Sequence, residues 1–290
     1  MKLTLPEFDL LRRYIHSLCG ITLTEDKSYL IEQRLEPIVA AAGCKSFGEF
    51  YQMLKQNPLP GIREQIINAI TTNETSFFRD SHPFIAFEKY ILPGLGAMIL
   101  DRKARDSVRK GPKVSVWSAG ASTGQEAYSL AMLIHEYASV NRPRGISQND
   151  FRLIATDISS ETLKKAVAGE YTEMEVQRGL SPDRIATYFK KVGGRWVVES
   201  SIRSMVEFRQ INLAKPFTML GGFDAILCRN VLIYFDIDTK KRLVDQFCEI
   251  LSDGGFFILG SSENLYGITK RLEPVSYKGT LLYTKSSGTK

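Results

Sequence analysis

The segment most informative about architecture reads Lys113-Val-Ser-Val-Trp-Ser-Ala-Gly-Ala-Ser-Thr-Gly-Gln-Glu-Ala-Tyr-Ser-Leu-Ala-Met132. It predicts a buried strand, a loop of small residues containing Gly120 and Gly124, and then an amphipathic helix. Glycines in such a turn let the backbone approach a nucleotide-like ligand closely. A tight turn between a strand and a helix needs similar residues for structural reasons alone. The glycine pattern by itself therefore favours a binding loop and a structural turn equally.

From this segment onward, short apolar runs rich in β-branched residues alternate with helical patterns. We predict strands at 114–117, 151–155, 206–211, 223–228, 255–259 and 280–284. Such alternation indicates a parallel sheet wrapped by helices. Residues 190–198 resemble a β-hairpin around Gly193-Gly194, so we expect a small antiparallel β insert over 172–205.

The residues before this segment carry a different pattern. Apolar residues recur at helical spacing over 6–19, 25–42, 46–56 and 61–70. The predicted fold class is therefore α/β, a Rossmann-like sheet preceded by an all-α domain. We expect the helical domain over 1–80, a connector over 81–112 and the sheet domain over 113–290.

Composition is that of a soluble globular protein, with 43% hydrophobic and 24% charged residues. No apolar run approaches the roughly 20 residues that span a bilayer, and residues 1–11 carry acids, so we expect a cytoplasmic protein without direct membrane insertion. The four cysteines and three histidines are scattered, with no Cys-x-x-Cys pair. We therefore expect reduced thiols and no metal.

The net charge of +6 comes largely from one short basic stretch. Its members are Arg102, Lys103, Arg105, Arg109, Lys110 and Lys113. A solvated, mobile connector is favoured over a partner-binding patch. The surplus alone does not indicate a nucleic-acid protein, but it suits an acidic macromolecular partner because long-range attraction raises encounter rates.

The loop after the first predicted strand narrows the choice of ligand. It has neither the Gly-x-x-x-x-Gly-Lys-Ser/Thr loop that cradles phosphates nor the Gly-x-Gly-x-x-Gly dinucleotide fingerprint. A ligand without phosphates fits better. S-adenosylmethionine offers an adenosine and a charged amino acid, and Glu126 near the helix start could accept hydrogen bonds from such a group.

Two later strands end in polar residues. Asp157 follows the strand over 151–155 and could bind ribose hydroxyls, although Asp157 or Ser159 could equally cap the next helix. The ligand role is favoured because Asp157 follows the glycine loop in the chain. Asn230 follows an apolar strand and is placed to contact cofactor. Cys228, inside that strand, is predicted to be core.

The segment Thr71-Thr-Asn73-Glu-Thr75-Ser-Phe-Phe-Arg79-Asp precedes the sheet domain. A paired aromatic followed by an arginine is unusual for a linker. Taken by itself, the segment is nevertheless best interpreted as a capped interdomain turn in which Phe77 and Phe78 are packing residues.

These segments together resemble the chemotaxis receptor methyltransferase family, CheR. The matching motifs, in chain order, are Gly20-Ile21-x-Leu23, Thr72-Asn73-x-Thr75-x-Phe-Phe-Arg79, Ala121-Ser-Thr-Gly-x-Glu126-x-Tyr-Ser, Ala155-Thr-Asp157-Ile, Asn212-Leu213, Cys228-Arg-Asn230-Val231-x-Ile-Tyr234-Phe-Asp and Gly260-x-Ser-Glu-Asn. Because they run in order across nearly the whole chain, chance agreement is implausible. The resemblance implies a class I S-adenosylmethionine methyltransferase sheet.

The resemblance also implies the site. Its cofactor-binding residues would be Asn73, Thr75, Arg79, Gly120, Glu126, Asp157, Asn212, Leu213, Asn230 and Val231. Arg79 and Tyr234 would stand nearest the transferred methyl and act as the catalytic residues. The reaction implied is methylation of glutamate side chains on chemoreceptors, with S-adenosylhomocysteine as the second product and no metal.

The implied partner is the cytoplasmic domain of methyl-accepting chemoreceptors, which would recruit a monomeric enzyme to receptor arrays at the inner membrane. Lys27 and Arg34 match the basic residues with which relatives contact the receptor. The next turn, Glu36-Pro37-Ile38, departs from the arginines of many relatives, so docking is expected to be arranged differently. Some relatives grip a receptor peptide with the hairpin of the insert, and the short Gly193-Gly194 turn argues against such a tether.

Two other functions remain open at this point. The basic pI of about 9.0 favours a methyltransferase for RNA or a small molecule on the same fold. A non-catalytic module that binds S-adenosylmethionine and signals through a partner is the second, and the intact Arg79, Asp157 and Tyr234 argue against it.

Overall fold

The computed structural model describes residues 1–56, 59–106 and 111–286. Its first part is helical: α1 Leu5–Cys19, α2 Ser28–Ala41, α3 Phe47–Gln56 and α4 Ile62–Ile70, with a 3-10 turn at Glu25–Lys27 before α2. All four predicted helices are confirmed. In α1 the buried residues are Phe8, Leu11, Ile15 and Cys19, a spacing of three and four that puts them on one face. The helices share one apolar core of their own.

The second part is built on a seven-stranded sheet. Its strands are β1 Val114–Ala119, β2 Phe151–Asp157, β6 Val206–Gln210, β7 Phe223–Cys228, β8 Leu251–Leu259, β9 Leu272–Tyr277 and β10 Thr280–Lys285. Their order is β6-β2-β1-β7-β8-β10-β9. The first five run parallel, whereas β10 is antiparallel to β8 and to β9. The predicted parallel sheet is confirmed for these five strands, whereas the strand predicted at 280–284 runs antiparallel at one edge.

Apolar clusters cover both faces of the sheet, which is why β1, β2 and β7 consist almost entirely of buried residues. Val116 and Leu227 belong to one cluster, and their neighbours Trp117 and Cys228 belong to the other. The helices that pack on the sheet include α7 Gln125–Asn141, α8 Ser160–Ala168 and α12 Ile237–Ile250. The predicted core position of Cys228 is confirmed, since it is 0% exposed.

Residues between the helical part and β1 differ from the expectation. A continuous helical stretch runs from His82 to Arg105, as α5 His82–Ala86, a π-helical turn Phe87–Ile91 and α6 Leu92–Arg105. Its apolar residues lie in the core beneath the sheet. Arg102 pairs with Asp224 at 2.6 Å and Lys103 pairs with Asp150 at 2.6 Å. A packed helix therefore stands where a solvated, mobile connector was predicted; Arg109 and Lys110 lie outside the described residues.

The same stretch corrects a second expectation. At 24 residues it is long and apolar enough to cross a membrane by length and composition, contrary to the prediction that no run approaches that size. Half of the most apolar 18-residue segment of this helix is buried inside the protein. Phe84, Phe87 and Leu95 are each at most 3% exposed, as expected of a core helix.

The predicted antiparallel insert is present as a three-stranded sheet. Its strands are β3 Glu170–Tyr171, β4 Phe189–Val192 and β5 Arg195–Val198, in the order β3-β5-β4, and the hairpin at Gly193-Gly194 is confirmed. Three short helices accompany it: α9 Glu173–Gln177, α10 Pro182–Tyr188 and α11 Ser200–Arg203. The ring of Phe77 packs edge-on against Tyr171 and Phe189, with centroids 4.9 and 5.5 Å away. The insert is thereby joined to the turn that precedes the sheet.

Candidate cofactor-binding site

A cavity of about 270 Å³ opens at the carboxyl ends of β1, β2 and β7. These strands flank the point where the strand order reverses, the usual ligand position in open α/β sheets. All the residues predicted to bind cofactor line this cavity, and so does Tyr234. These ten cofactor-binding residues are Asn73, Thr75, Arg79, Gly120, Glu126, Asp157, Asn212, Leu213, Asn230 and Val231. The fold therefore brings together residues that lie far apart in the sequence.

The loop after β1 forms one wall. Gly120 has a φ of +80°, and its N–H donates to the Thr156 carbonyl at 2.8 Å. A Cβ on Gly120 would lie only 2.4 Å from Val231 Cγ2. The glycine is thus required both by its left-handed backbone and by the close approach of the loops that follow β1 and β7. The structural interpretation of the glycine pattern is therefore confirmed, and the binding role of this loop stays a prediction.

Asp157 forms the second wall at the end of β2. The side chain is 8% exposed; its Oδ2 accepts from the Ser122 N–H at 2.8 Å and its Oδ1 from the Ser159 N–H at 2.9 Å. Burial raises the pKa of Asp157, against the opposing effect of these hydrogen bonds. Ser159 is the N-cap of α8, where its hydroxyl accepts from the Thr162 N–H. Asp157 therefore lines the cavity while Ser159 caps the helix.

A buried ion-pair network underlies the cavity. Arg229, whose side chain is 1% exposed, donates to Glu126 Oε2 at 3.0 Å, to Asp80 Oδ2 at 2.8 Å and to the Arg79 carbonyl at 2.8 Å. Ser118 donates to the other Glu126 oxygen at 2.7 Å. Burial raises the pKa of Glu126, while the charge of Arg229 favours the carboxylate. Sequence reasoning missed Arg229, although it lies inside the Cys228-Arg-Asn230 motif.

The turn before the sheet closes the cavity from the helical side. Arg79 Nη1 donates to the Glu74 carbonyl at 2.9 Å, and the Ser122 hydroxyl donates to the Asn73 carbonyl at 2.8 Å. Phe77 and Phe78 are buried, which confirms their predicted packing role. The turn is therefore both a packed interdomain segment and part of the cavity wall.

Contacts from the helical part hold it against the loops after β6 and β7. The Thr22 N–H donates to the Tyr234 carbonyl at 2.8 Å, and Asn212 Nδ2 donates to the Leu18 carbonyl at 2.7 Å. Tyr234 also packs against the apolar core of the helical part. Loop and helices thus meet beside the cavity.

The two predicted partner-binding residues have different surroundings. Lys27 is exposed and lines the cavity. Arg34 is half-buried, and its Nη1 donates to the carbonyls of Ala69, Ile70 and Thr71 at 3.4, 3.0 and 3.2 Å. Arg34 therefore satisfies carbonyls at the end of α4 and does not line the cavity.

The chemistry of the cavity fits S-adenosylmethionine. Ile158 and Leu213 offer apolar contact for a base, and Asp157 offers acceptors for ribose hydroxyls. Glu126 and Arg79 also line the cavity and carry opposite charges, which are the two signs that a zwitterionic amino acid group can pair with. Among the residues that the structure describes, no group of three or more His, Cys, Asp or Glu is arranged to hold a metal ion. All four cysteines are free and buried.

This strand order, together with a cavity whose glycine loop lacks the phosphate-binding motif, is typical of S-adenosylmethionine-dependent methyltransferases. The chain belongs to the CheR methyltransferase family. Residues 73–280 match the model described as the CheR methyltransferase SAM binding domain, and residues 6–71 match the CheR methyltransferase all-alpha domain.

Relatives of known name agree with this assignment. "Chemotaxis protein methyltransferase Cher2" of Pseudomonas putida is 38% identical over 96% of this chain and 97% of its own length. "Chemotaxis protein methyltransferase 1" of Pseudomonas aeruginosa is 38% identical over the same shares. The Escherichia coli K12 "Chemotaxis protein methyltransferase" is 32% identical over 96% and 90%. Among solved structures, N-methyltransferase NodS from Bradyrhizobium japonicum is 13% identical with a TM-score of 0.35, covering 72% of this chain and 99% of NodS.

Proposed function

We propose that this chain methylates glutamate side chains on the cytoplasmic helices of bacterial chemoreceptors, giving glutamate methyl esters and S-adenosylhomocysteine for sensory adaptation. The observation that carries the proposal is the joint presence of Arg79 and Tyr234 in one cavity with the carboxylates of Asp157 and Glu126. Relatives named for chemotaxis methylation support it across almost the full chain.

Several cavity residues have assigned roles in the proposal. Asp157 binds the ribose hydroxyls, and Glu126 accepts from the ammonium of the methionine part. The backbone at Asn230 and Val231 forms the edge against the base. When bound, S-adenosylmethionine supplies a methyl group on a positively charged sulfur. The protein's task is to hold that group open to an incoming carboxylate.

No general base is required of the chain. A glutamate side chain has an unperturbed pKa near ~4.3, so it arrives as a carboxylate at neutral pH. None of the cavity-lining residues that the structure describes is a histidine, which agrees with this chemistry. Exclusion of water from the carboxylate favours its reaction with a cation. Alignment in a well-oriented site contributes up to about 7–11 kcal/mol.

Arg79 and Tyr234 provide the alignment in this proposal. Arg79 holds cofactor and acceptor in register, and the Tyr234 hydroxyl orients the acceptor carboxylate. Arg79 is well placed because its backbone and side chain are both anchored, the carbonyl by Arg229 and the guanidinium by the Glu74 carbonyl. A preorganised arginine loses less freedom when the acceptor binds.

The proposed division of the chain follows the same logic. Residues 1–80 face the receptor, and 113–290 carry catalysis together with the helix from His82 to Arg105, which packs in the same core; 172–205 form the inserted subdomain. Lys27 lies at the cavity and its charge attracts acidic receptor helices. The enzyme acts as a cytoplasmic monomer recruited to receptor arrays, and Arg34 contributes to docking mainly by holding the end of α4 in place.

Transfer of labelled methyl from S-adenosylmethionine to purified receptor cytoplasmic fragments tests the proposal. The expected product is base-labile label on the receptor, lost in Arg79→Ala and reduced in Tyr234→Phe. Arg105→Ala and Tyr266→Phe are matched controls, because these side chains are exposed and do not line the cavity. Normal turnover in both cavity variants would remove the assigned roles.

The basic net charge of +6 favours one competing substrate, RNA. Offering bulk RNA and small-molecule acceptors beside the receptor separates the possibilities. Label on RNA and none on receptor would replace the proposal. Formation of any methyl ester would exclude a non-catalytic binding module.

A further inference from the structure

Glu263 makes an unusual set of contacts in the loop after β8. Its Oε2 accepts from the N–H groups of Asn230 at 2.6 Å and Gly260 at 2.8 Å. Its Oε1 accepts from the N–H groups of Val231 and Ile233, both at 3.1 Å. One carboxylate therefore satisfies four backbone donors from two different loops. Hydrogen bonds to a charged acceptor are stronger than neutral ones, so the cluster is a rigid junction.

The backbone that Glu263 holds is costly to maintain without support. Asn230 has a φ of +57°, in the left-handed region that non-glycine residues rarely adopt. Immediately afterwards comes the 3-10 turn Leu232–Tyr234. Three of the four donors lie in this short segment, Asn230 to Ile233. Their convergence on one anion stabilises a conformation that local preference does not favour.

Gly260 shows how tightly the junction is built. A Cβ on Gly260 would lie 2.8 Å from Asn230 N, from Asn230 Nδ2 and from Glu263 Oε2. The backbone of Gly260 does not have a positive φ, so alanine is conformationally acceptable there. The glycine is therefore required by the approach of the two loops and not by its own backbone angles.

We propose that Glu263 is a positioning residue that sets the wall from Asn230 to Tyr234 for both cofactor and acceptor. Glu263 does not itself line the cavity, whereas Asn230, Val231 and Tyr234 do. Its action is therefore indirect, through the peptide groups that it binds. The inference rests on the proposed function, because it assigns these three residues to the working site.

The test compares Glu263→Gln with the wild type in calorimetric titration with S-adenosylhomocysteine, which needs no acceptor. Glutamine has the same shape as glutamate but no charge. Its amide N–H₂ is itself a donor and cannot accept from the backbone N–H groups that one carboxylate oxygen binds. The expected result is an approximately 10- to 100-fold rise in Kd with an unchanged binding stoichiometry. A merely structural loss would instead lower the stoichiometry and leave Kd unchanged. With receptor as acceptor, kcat should fall as well, because Tyr234 is displaced.

Glu7→Gln is the matched control. Glu7 likewise accepts from two backbone N–H groups, those of Thr4 at 3.0 Å and Gly48 at 2.7 Å, but it lies in the helical part outside the cavity. The Kd of Glu7→Gln for S-adenosylhomocysteine should equal that of the wild type. Gly260→Ala perturbs the same junction without touching the charge and should also raise Kd.

The outcomes separate this inference from the function on which it rests. If the wild type fails to bind S-adenosylhomocysteine, the proposed function falls. If the wild type binds and both Glu263→Gln and Gly260→Ala bind equally well, the positioning role is overturned. An effect of equal size in Glu7→Gln would also overturn it, since the loss would then be general.

Discussion

Replacing Arg229 by methionine should destabilise the protein strongly. The guanidinium is 1% exposed and contacts Glu126, Asp80 and the Arg79 carbonyl at 3.0, 2.8 and 2.8 Å. Methionine has a similar length but no donor. Glu126, whose side chain is 11% exposed, would keep only the hydrogen bond from Ser118. Asp80 is 33% exposed and can be solvated, so the penalty arises mainly at Glu126.

The size of the stability loss follows from the difference in exposure between buried Glu126 and partly exposed Asp80. Breaking a buried pair by removing one partner costs about 3–5 kcal/mol, because an uncompensated charge stays buried. Domains are stable by about 5–15 kcal/mol, so Arg229→Met should lose a large share of the free energy of unfolding. Adding Glu126→Gln removes the stranded charge while keeping a group that Ser118 can bind. The double variant should therefore recover part of the loss.

Urea unfolding at several pH values measures the loss of unfolding free energy in Arg229→Met and in the double variant. Burial raises the pKa of Glu126 in the folded state, so the folded protein binds its proton more readily than the unfolded chain. The penalty in Arg229→Met should be complete above the folded pKa of Glu126 and should shrink as the pH falls through it. The double variant lacks that carboxyl and should show no such recovery. A loss below about 1 kcal/mol, or strictly additive single losses, would refute the reasoning.

Three further outcomes are expected. Gly120→Ala should lower the free energy of unfolding by about 2–5 kcal/mol, because alanine would have a positive φ there and its Cβ would clash with Val231. Adding Val231→Ala should recover about 1–3 kcal/mol by removing the clash, and urea unfolding measures both. If the two single losses simply add in the double variant, the clash is contradicted. Asp236→Ala should cost about 1 kcal/mol, because Asp236 caps α12 through the Thr239 N–H. That hydrogen bond holds the pKa of Asp236 well below its ordinary value, so the difference should be complete at neutral pH and vanish in acid; a pH-independent difference would count against it. Asp157→Asn should weaken S-adenosylhomocysteine binding about tenfold or more in calorimetry, and unchanged affinity would remove its ribose role.

The helices and parallel strands were predictable because their patterns are local. An apolar residue every third or fourth position, as in α1, indicates a helix wherever the chain later places it. The buried strands β1, β2 and β7 are short apolar runs followed by polar residues. Strand β9 was not predicted, since this sheet-edge strand exposes Glu273, Pro274 and Ser276 and so lacks an apolar run.

The sequence predicted many of the residues that line the cavity and missed Arg229 and Glu263, which hold its walls in place. Asp157 and Asn230 could be found because they follow apolar strands whose carboxyl ends share one edge of the sheet. Apart from Gly260, the partners of Arg229 and Glu263 lie far from them in the sequence. Glu126 lies about a hundred positions from Arg229, and Asn230 lies more than thirty from Glu263.

The amino-acid sequence by itself determined the class of fold, the four N-terminal helices and most of the strands, because these patterns depend on the spacing of neighbouring residues. Most of the cavity residues followed from the resemblance to the CheR family and not from spacing. Only the tertiary structure decided that the helix from His82 to Arg105 packs beneath the sheet and that Arg229 and Glu263 hold the cavity walls. The physical reason is that a charge is satisfied by whichever group the fold brings within about 3 Å, and that choice is made in space and not along the chain.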